Sequence, residues 1–539
     1  MRKKIMPCLI IIVLISAIIG CRPQQQAAKS NEQDLLHIQS TKQQASKKVI
    51  FLLVDALMAQ AIDQGIRRQE LPTFQYLIQH GQYYKDMVSS FPTMSVTIDS
   101  SLLTGSYPNE HRVPGLTWYS TEAKKVINYG TGPMEIFKHG IESVMLDGLI
   151  HLNATHLNPQ LPTIYEDLAR HGLKSASING LIYRGRTPHT LTIPSWVQGL
   201  TSIPNEIKVH GPDFMALGAL SNPLQGKTSL PKSVFSKMGV NSAYSIETLN
   251  YLIQANTLPD FSLVYLPDID QQLHRKGPAN MKDVKGIRDV DQQIHTMLQA
   301  FGSPEKALSE AVIIIAGDSG MTQILPSNEN PVIDLPALLQ NDHVLRPGKA
   351  VSADTEIVLA VNETMAYVYN IGQRQSLRGL ATKLSLDPRM DYMAWKEDGW
   401  IYVKQGNSDR ELRYKVKGDY SDPYQQKWSV EGDIGVLDLQ VDHANHTLHY
   451  GQYPDALQRL QGALHSHPGE FIVVGAKPGY ELVDRSSPTH KGGGGHGSLR
   501  NEESLVPLIL CGTDQKPKHL RIIDLKPFIL QLLIKNEGE

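Results

Sequence analysis

Residues 49–55 read Val49-Ile50-Phe51-Leu52-Leu53-Val54-Asp55, and this short run decides the fold. Six consecutive β-favouring apolar residues without alternation describe a strand buried on both faces. Such strands belong to parallel sheets with helices packed above and below. Similar runs return at 174–179, 261–266, 311–316, 470–476 and 506–512. Helical spacing fills the intervals, over 56–64, 72–80, 163–171, 246–255, 284–301 and about 525–535. The alternation predicts an α/β fold, a doubly wound, mostly parallel central sheet with helices on both faces.

After about Gly348 the pattern changes. Segments 356–370, 399–405, 411–417 and 435–441 look like shorter strands, punctuated at Gly406-Asn407 and Gly418-Asp419. Residues 365–465 therefore read as an inserted antiparallel subdomain, with 48–364 and 466–539 forming the main domain. Residues 120–245, rich in Pro and Gly, are expected to supply cap-like loops over a site.

The N-terminus carries Arg2-Lys3-Lys4, then an apolar stretch from Ile5 to Ile19 that stops at Gly20-Cys21. This is the pattern of a signal peptide, residues 1–20, rather than of a membrane span. Its end resembles a bacterial lipobox, which makes Cys21 the expected site of lipidation. The Gln-, Ser- and Lys-rich residues 21–47 then read as a flexible tether. These features predict a lipid-anchored protein on the extracytoplasmic face of a bacterial cell membrane. Apart from Cys8 and Cys21 the only cysteine is Cys511, so the body forms no internal disulfide.

The 539 residues are 41% hydrophobic and 20% charged, ordinary for a globular chain with a large core. The net charge of −2 becomes −5 without Arg2, Lys3 and Lys4, and no basic stripe marks a nucleic-acid-binding surface.

Chemistry concentrates at strand ends, where open α/β sheets bind ligands. Asp55 closes the first run. The segment Phe91-Pro92-Thr93-Met94-Ser95 enters an apolar-periodic stretch, which places Ser95 in the first turn of a helix. Free backbone N–H groups and the helix dipole there favour an alkoxide and a bound phosphate. A helix N-cap is the ordinary job for such a serine. Asp270 and His274 follow the run 261–266, Asp318 follows 311–316, and His496 ends Gly492-Gly493-Gly494-Gly495. Each has an everyday explanation. Together, carboxylates and imidazoles are the ligand set of hydrolytic zinc, manganese or magnesium sites.

These residues resemble the alkaline phosphatase superfamily, and within it the type I phosphodiesterase/nucleotide pyrophosphatase branch. Phe91-Pro92-Thr93-Met94-Ser95, followed by Thr104-Gly105-Ser106-Tyr107-Pro108, is similar to that branch's nucleophile signature. Asp270, His274 and Gly277-Pro278 are similar to its Asp-x-x-x-His-x-x-Gly-Pro element. The resemblance implies Ser95 as nucleophile, a phosphoseryl intermediate and two divalent metal ions, zinc first among them. Asp270, His274 and His496 would hold one ion; Asp55, the Ser95 oxygen and Asp318 would hold the other. It also implies a phosphoester substrate such as a nucleotide.

Two departures stand out. Where the branch reads Asp-His-Gly-Met, this chain reads Asp318-Ser319-Gly320-Met321, so one imidazole ligand is missing. That second site is expected to favour magnesium or manganese, or to recruit another group, with His490 the nearest candidate. The branch's phosphate-holding Asn would fall near Leu116. His111 and Asp268 read as structural, and Trp118 and Tyr119 as packing rather than base-stacking residues. A phosphomonoesterase, a phosphonate hydrolase and a degenerate binding lipoprotein are the competing readings. A sulfatase is disfavoured, because Ser95 is not followed by the Pro and Arg of the formylglycine pattern.

Overall fold

A computed structural model describes residues 35, 38–39, 47–227, 239–279 and 285–534. The signal peptide, Cys21 and nearly all of the tether lie outside the described residues. Among the described residues no helix is long and apolar enough to cross a membrane.

The central sheet has seven strands. Their order is Gly81–Val88, Leu505–Cys511, Ala311–Gly317, Lys48–Val54, Phe261–Leu266, Ser175–Ile178 and Phe214–Ala216. The last five are parallel; Leu505–Cys511 runs antiparallel to both of its neighbours, so it alone is reversed. The first strand shows why this run is apolar throughout. Ile50, Leu52 and Val54 pack into one helical layer with Phe74, Leu249 and Ile294. Val49, Phe51 and Leu53, pointing the other way, pack with Ile98, Leu168 and Phe528. Fully burying each such side chain stabilises the fold by roughly 1.5–3 kcal/mol.

A second sheet of nine strands, almost wholly antiparallel, is built from Ile357 to Ala476. Two features depart from the sequence reading. The segment 356–370 is a hairpin, Ile357–Asn362 and Met365–Asn370, joined by the two-residue turn Glu363-Thr364. The strand Phe471–Ala476, expected in the central sheet, lies between Met365–Asn370 and Met390–Glu397 in the second one. The cause is physical. The middle of this sheet is also buried on both faces, Tyr367 and Val473 in one cluster and Val368 and Val474 in another. An apolar run cannot say which covered sheet it enters.

The two sheets are tied together beside the site. Arg459, fully buried, donates to the Ser90 carbonyl and the Ser504 hydroxyl at 2.9 and 2.8 Å. The Thr364 hydroxyl donates to Glu503 at 2.8 Å. The Thr364 bond fixes the hairpin turn, and the Arg459 bonds fix the helix Ala456–Leu464, against the central-sheet side.

Candidate active site

The carboxylates singled out above lie beyond the C-terminal ends of three adjacent strands. Val54 pairs in register with Leu266 on one side and Gly317 on the other, so Asp55 and Asp318 emerge side by side. The Ala56 amide donates to Asp318 Oδ1 at 2.9 Å, and the Tyr265 hydroxyl donates to Asp55 Oδ2. Asp318 is fully buried, and its Oδ2 has no hydrogen-bond partner. Burial pushes its carboxyl up, against the Ala56 amide and the charge of His496.

Ser95 opens the helix Ser95–Thr104 as its first residue, while Met94 occupies the cap position in an extended conformation. Ser95 is therefore not the cap. Its side chain stands at the N-terminal, electropositive end of the helix. The turn before it is pinned by the glycine-rich segment, whose Gly497 amide donates to Thr93 Oγ1 at 2.7 Å.

Asp270 and His274 sit four residues apart on the helix Asp268–Lys276, which aligns them on one face. His274 Nδ1 lies 2.9 Å from the Gly494 carbonyl and His496 Nδ1 lies 2.5 Å from the Thr93 carbonyl. A carbonyl only accepts, so both Nδ1 atoms carry the hydrogen. Both Nε2 atoms then face Asp270 Oδ1, at 3.0 and 3.5 Å. Backbone carbonyls commonly orient imidazoles for a metal in this way. The glycines permit the approach, since a Cβ on Gly493 would lie 2.0 Å from the His274 carbonyl oxygen.

Electrostatics match. Burial opposes ionisation of Asp270, but His274 and His496 hold it well below the usual carboxylate range. Burial alone would lower both imidazoles. Asp270 and Glu363 raise His274 to about 10, and Glu363 and Asp270 raise His496 to about 10. The cluster thus attracts positive charge, as protons or as a cation. Asp270, His274 and His496 each place a donor atom within 4.8 Å of the others.

Three placements were not legible in the sequence. Glu363, in the hairpin turn of the second sheet, holds Oε1 3.8 Å from His274 Nε2 and accepts the His496 amide at 3.1 Å. His490 groups with His274 and Glu363 within 4.8 Å. Its ring centroid is 4.4 Å from that of His274, and its Nδ1 is 3.2 Å from Glu481. It therefore joins the Asp270 side rather than standing in for an imidazole next to Asp318. Asp99, one helical turn beyond Ser95, is fully buried; burial and then the charge of Asp318 push its carboxyl well up.

Ser319 is buried and its hydroxyl has no hydrogen-bond partner. Leu116, with Arg275, Lys491 and the Ser95, His274 and His496 side chains, lines one cavity of about 580 Å³. His111 is internal, its Nε2 2.9 Å from the Ser101 hydroxyl, and Asp268 accepts the Ser242 amide at 3.0 Å. Trp118 and Tyr119 line a different cavity.

A serine at a helix start, facing carboxylates and imidazoles at the edge of a doubly wound sheet, is the arrangement of a phosphoester hydrolase of the alkaline phosphatase superfamily. The chain belongs to the type I phosphodiesterase/nucleotide pyrophosphatase family, whose model matches residues 49–499. The family is metal-dependent.

Solved structures agree on the fold. Murine ectonucleotide pyrophosphatase/phosphodiesterase 5 is 14% identical with a TM-score of 0.51, over 90% of this chain and 95% of that one. An inactive variant of the murine protein in complex with AMP gives the same values. The human protein is 15% identical with a TM-score of 0.52, over 92% of this chain and 97% of that one. No curated protein matches the chain.

Proposed function

We propose that this phosphoric ester hydrolase is a phosphodiesterase that uses Ser95 as its nucleophile and holds two divalent metal ions. One observation carries the reading: Ser95 opens onto the same cavity as Asp270, His274 and His496. The buried Asp318 Oδ2, which has no hydrogen-bond partner, fits one cation, and the two imidazole Nε2 atoms that converge on Asp270 Oδ1 fit another. Asp270, His274 and His496 would hold one ion, a donor set suited to zinc. Asp55, Asp318 and the Ser95 oxygen would hold the other, an oxygen-rich set suited to magnesium or manganese. When bound, the ions supply Lewis-acid stabilisation of the phosphoryl charge.

The chain's own groups do the rest. The free amides at the start of the Ser95–Thr104 helix stabilise negative charge on the Ser95 oxygen and on the phosphoryl group. Ser95 Oγ attacks phosphorus, a phosphoseryl ester forms and the leaving alcohol departs. Water then cleaves that ester and regenerates Ser95. Arg275 and Lys491, at the cavity wall, attract an anionic diester. A volume of about 580 Å³ accommodates a nucleotide-sized molecule, and the AMP held by the murine relative supports that size class. The leader of residues 1–20, followed by Cys21, supports an anchored, extracytoplasmic protein; metabolic labelling with a fatty acid, lost in Cys21→Ala, tests it.

The function is tested by stripping the protein of metal and restoring zinc, manganese or magnesium singly. Hydrolysis of bis-p-nitrophenyl phosphate, faster than that of p-nitrophenyl phosphate, is expected to fall at least about 10³-fold in Ser95→Ala. A faster monoester rate would make the protein a phosphomonoesterase. Turnover unchanged in Ser95→Ala would remove the nucleophile assignment.

A further inference from the structure

A second group of ligand-type side chains stands apart from the active site. Residues Asp147–His156 form a π-helix. A π-helix closes i→i+5 bonds and has about 4.4 residues per turn, so steps of four and nine residues return to one face. In an α-helix a step of nine residues spans about two and a half turns and ends on the opposite face. The wider helix therefore brings Asp147, His151 and His156 together, and each offers a donor atom within 4.8 Å of the other two.

The surroundings orient this trio. His151 Nδ1 lies 2.8 Å from Asp147 Oδ1, and the Asp147 side chain is only 2% exposed. The Tyr129 hydroxyl lies 2.8 Å from His156 Nδ1, and the Trp118 ring meets His156 edge-on at 5.5 Å. Trp118 Nε1 in turn donates to the Tyr129 hydroxyl at 3.1 Å. The trio opens onto a cavity of about 950 Å³. One positive charge already visits: Lys125 Nζ lies 3.3 and 3.4 Å from the two Asp147 oxygens. Lys125 is 44% exposed, so this pair is weak and its head group can swing into solvent.

We propose that Asp147, His151 and His156 form a further site for a divalent transition metal of the zinc class, independent of the catalytic centre. Two imidazoles and one carboxylate are a donor set that zinc accepts in tetrahedral geometry, with the fourth position open to the cavity. Alkaline-earth ions, which require mostly oxygen donors, are poorly served by it.

The test uses the full-length chain carrying Asp270→Asn and His274→Ala; His274 is shared by both zinc-type donor groups of the catalytic centre, so the pair disables both. Metal-free protein is titrated with cobalt(II), read by its visible absorption, and then with zinc in competition. The chain is expected to bind cobalt with the absorption of a four-coordinate ion. Adding His156→Ala should weaken that binding by more than about 100-fold. Lys125→Met, which removes the competing ammonium and leaves all three ligand residues in place, should tighten it by about fivefold. Circular dichroism checks the fold of each variant, and Lys125→Met gives the answer if His156→Ala does not fold. Absence of that absorption, or binding indifferent to both His156→Ala and Lys125→Met, overturns the proposal.

Discussion

The two halves of the candidate active site are built from opposite materials. On one side stand the imidazoles of His274, His496 and His490 with the carboxylates of Asp270 and Glu363. On the other stand Asp55 and Asp318, side by side, with a buried serine at 319 where the branch usually has histidine. The first half is rich in nitrogen donors, of which His274 and His496 are oriented by backbone carbonyls and His490 by the Glu481 carboxylate. The second is built of oxygens, and the Tyr265 hydroxyl and the Ala56 amide hold its carboxylates. The contrast teaches that a two-ion centre of the kind proposed need not be symmetric: one half would select for a borderline metal, and the other would accept a hard one.

The sharpest way to break the comparison is Asp270→Asn, which removes the charge both imidazoles face. We expect kcat/KM to fall by about 10³-fold or more and zinc content to drop by one ion per chain. Elemental analysis showing unchanged zinc would place the ion elsewhere. Next in size is Glu363→Gln, which keeps an acceptor for the His496 amide and loses the charge beside His274. Zinc affinity should weaken about 10- to 100-fold, as it does when outer partners of metal ligands are lost. An unchanged dissociation constant would make Glu363 a bystander.

A pH series sharpens the imidazole-rich half from below. Burial raises Glu503 to about 7, opposed by the Ser498 amide, the Thr364 hydroxyl and the charge of His496. The folded state therefore holds this proton more tightly than the unfolded chain, whose glutamate titrates near 4.5. Stability from this group is fully present below about pH 4.5 and is lost as pH rises through about 7. In metal-free protein we expect a loss of about 3 kcal/mol across that window. Denaturant unfolding of Glu503→Gln should show a flatter profile there; an equal slope in both proteins would contradict the assignment.

The smallest effect belongs to Ser319→Ala in the oxygen-rich half. Removing a buried hydroxyl that has no partner should stabilise metal-free protein by up to about 1 kcal/mol. Magnesium or manganese affinity should change less than about threefold, about 0.6 kcal/mol. A larger loss would make the Ser319 oxygen a ligand.

Most of the ligand set is legible in the amino-acid sequence. Asp55, Asp270, His274 and Asp318 each follow an apolar run, and a parallel sheet must gather such positions along one edge. Glu363 is invisible there for a local reason. Its two central residues, Glu363 and Thr364, are neither glycine, proline, asparagine nor aspartate, so 356–370 reads as one long strand, although Glu363 adopts a left-handed φ of 58°. Asp99 is hidden among serines on a helix buried all round. The apolar pattern of Phe471–Ala476 points to the wrong sheet because both sheets offer two covered faces. The register of the π-helix is equally illegible, since Asp147, His151 and His156 match no α-helical face.

The reach of Glu363 has one more consequence. The ligand cluster draws on positions from 270 to 496, and one of them belongs to a sheet whose strands are laid down between 357 and 476. A growing polypeptide that has not yet emitted its last tenth lacks His496, and one with a mispaired hairpin lacks Glu363. Nothing shorter than the nearly finished chain presents the complete Asp270, His274 and His496 donor set. Metal acquisition at the proposed site would thereby come late in the life of the molecule, a seal set on copies that have assembled both halves.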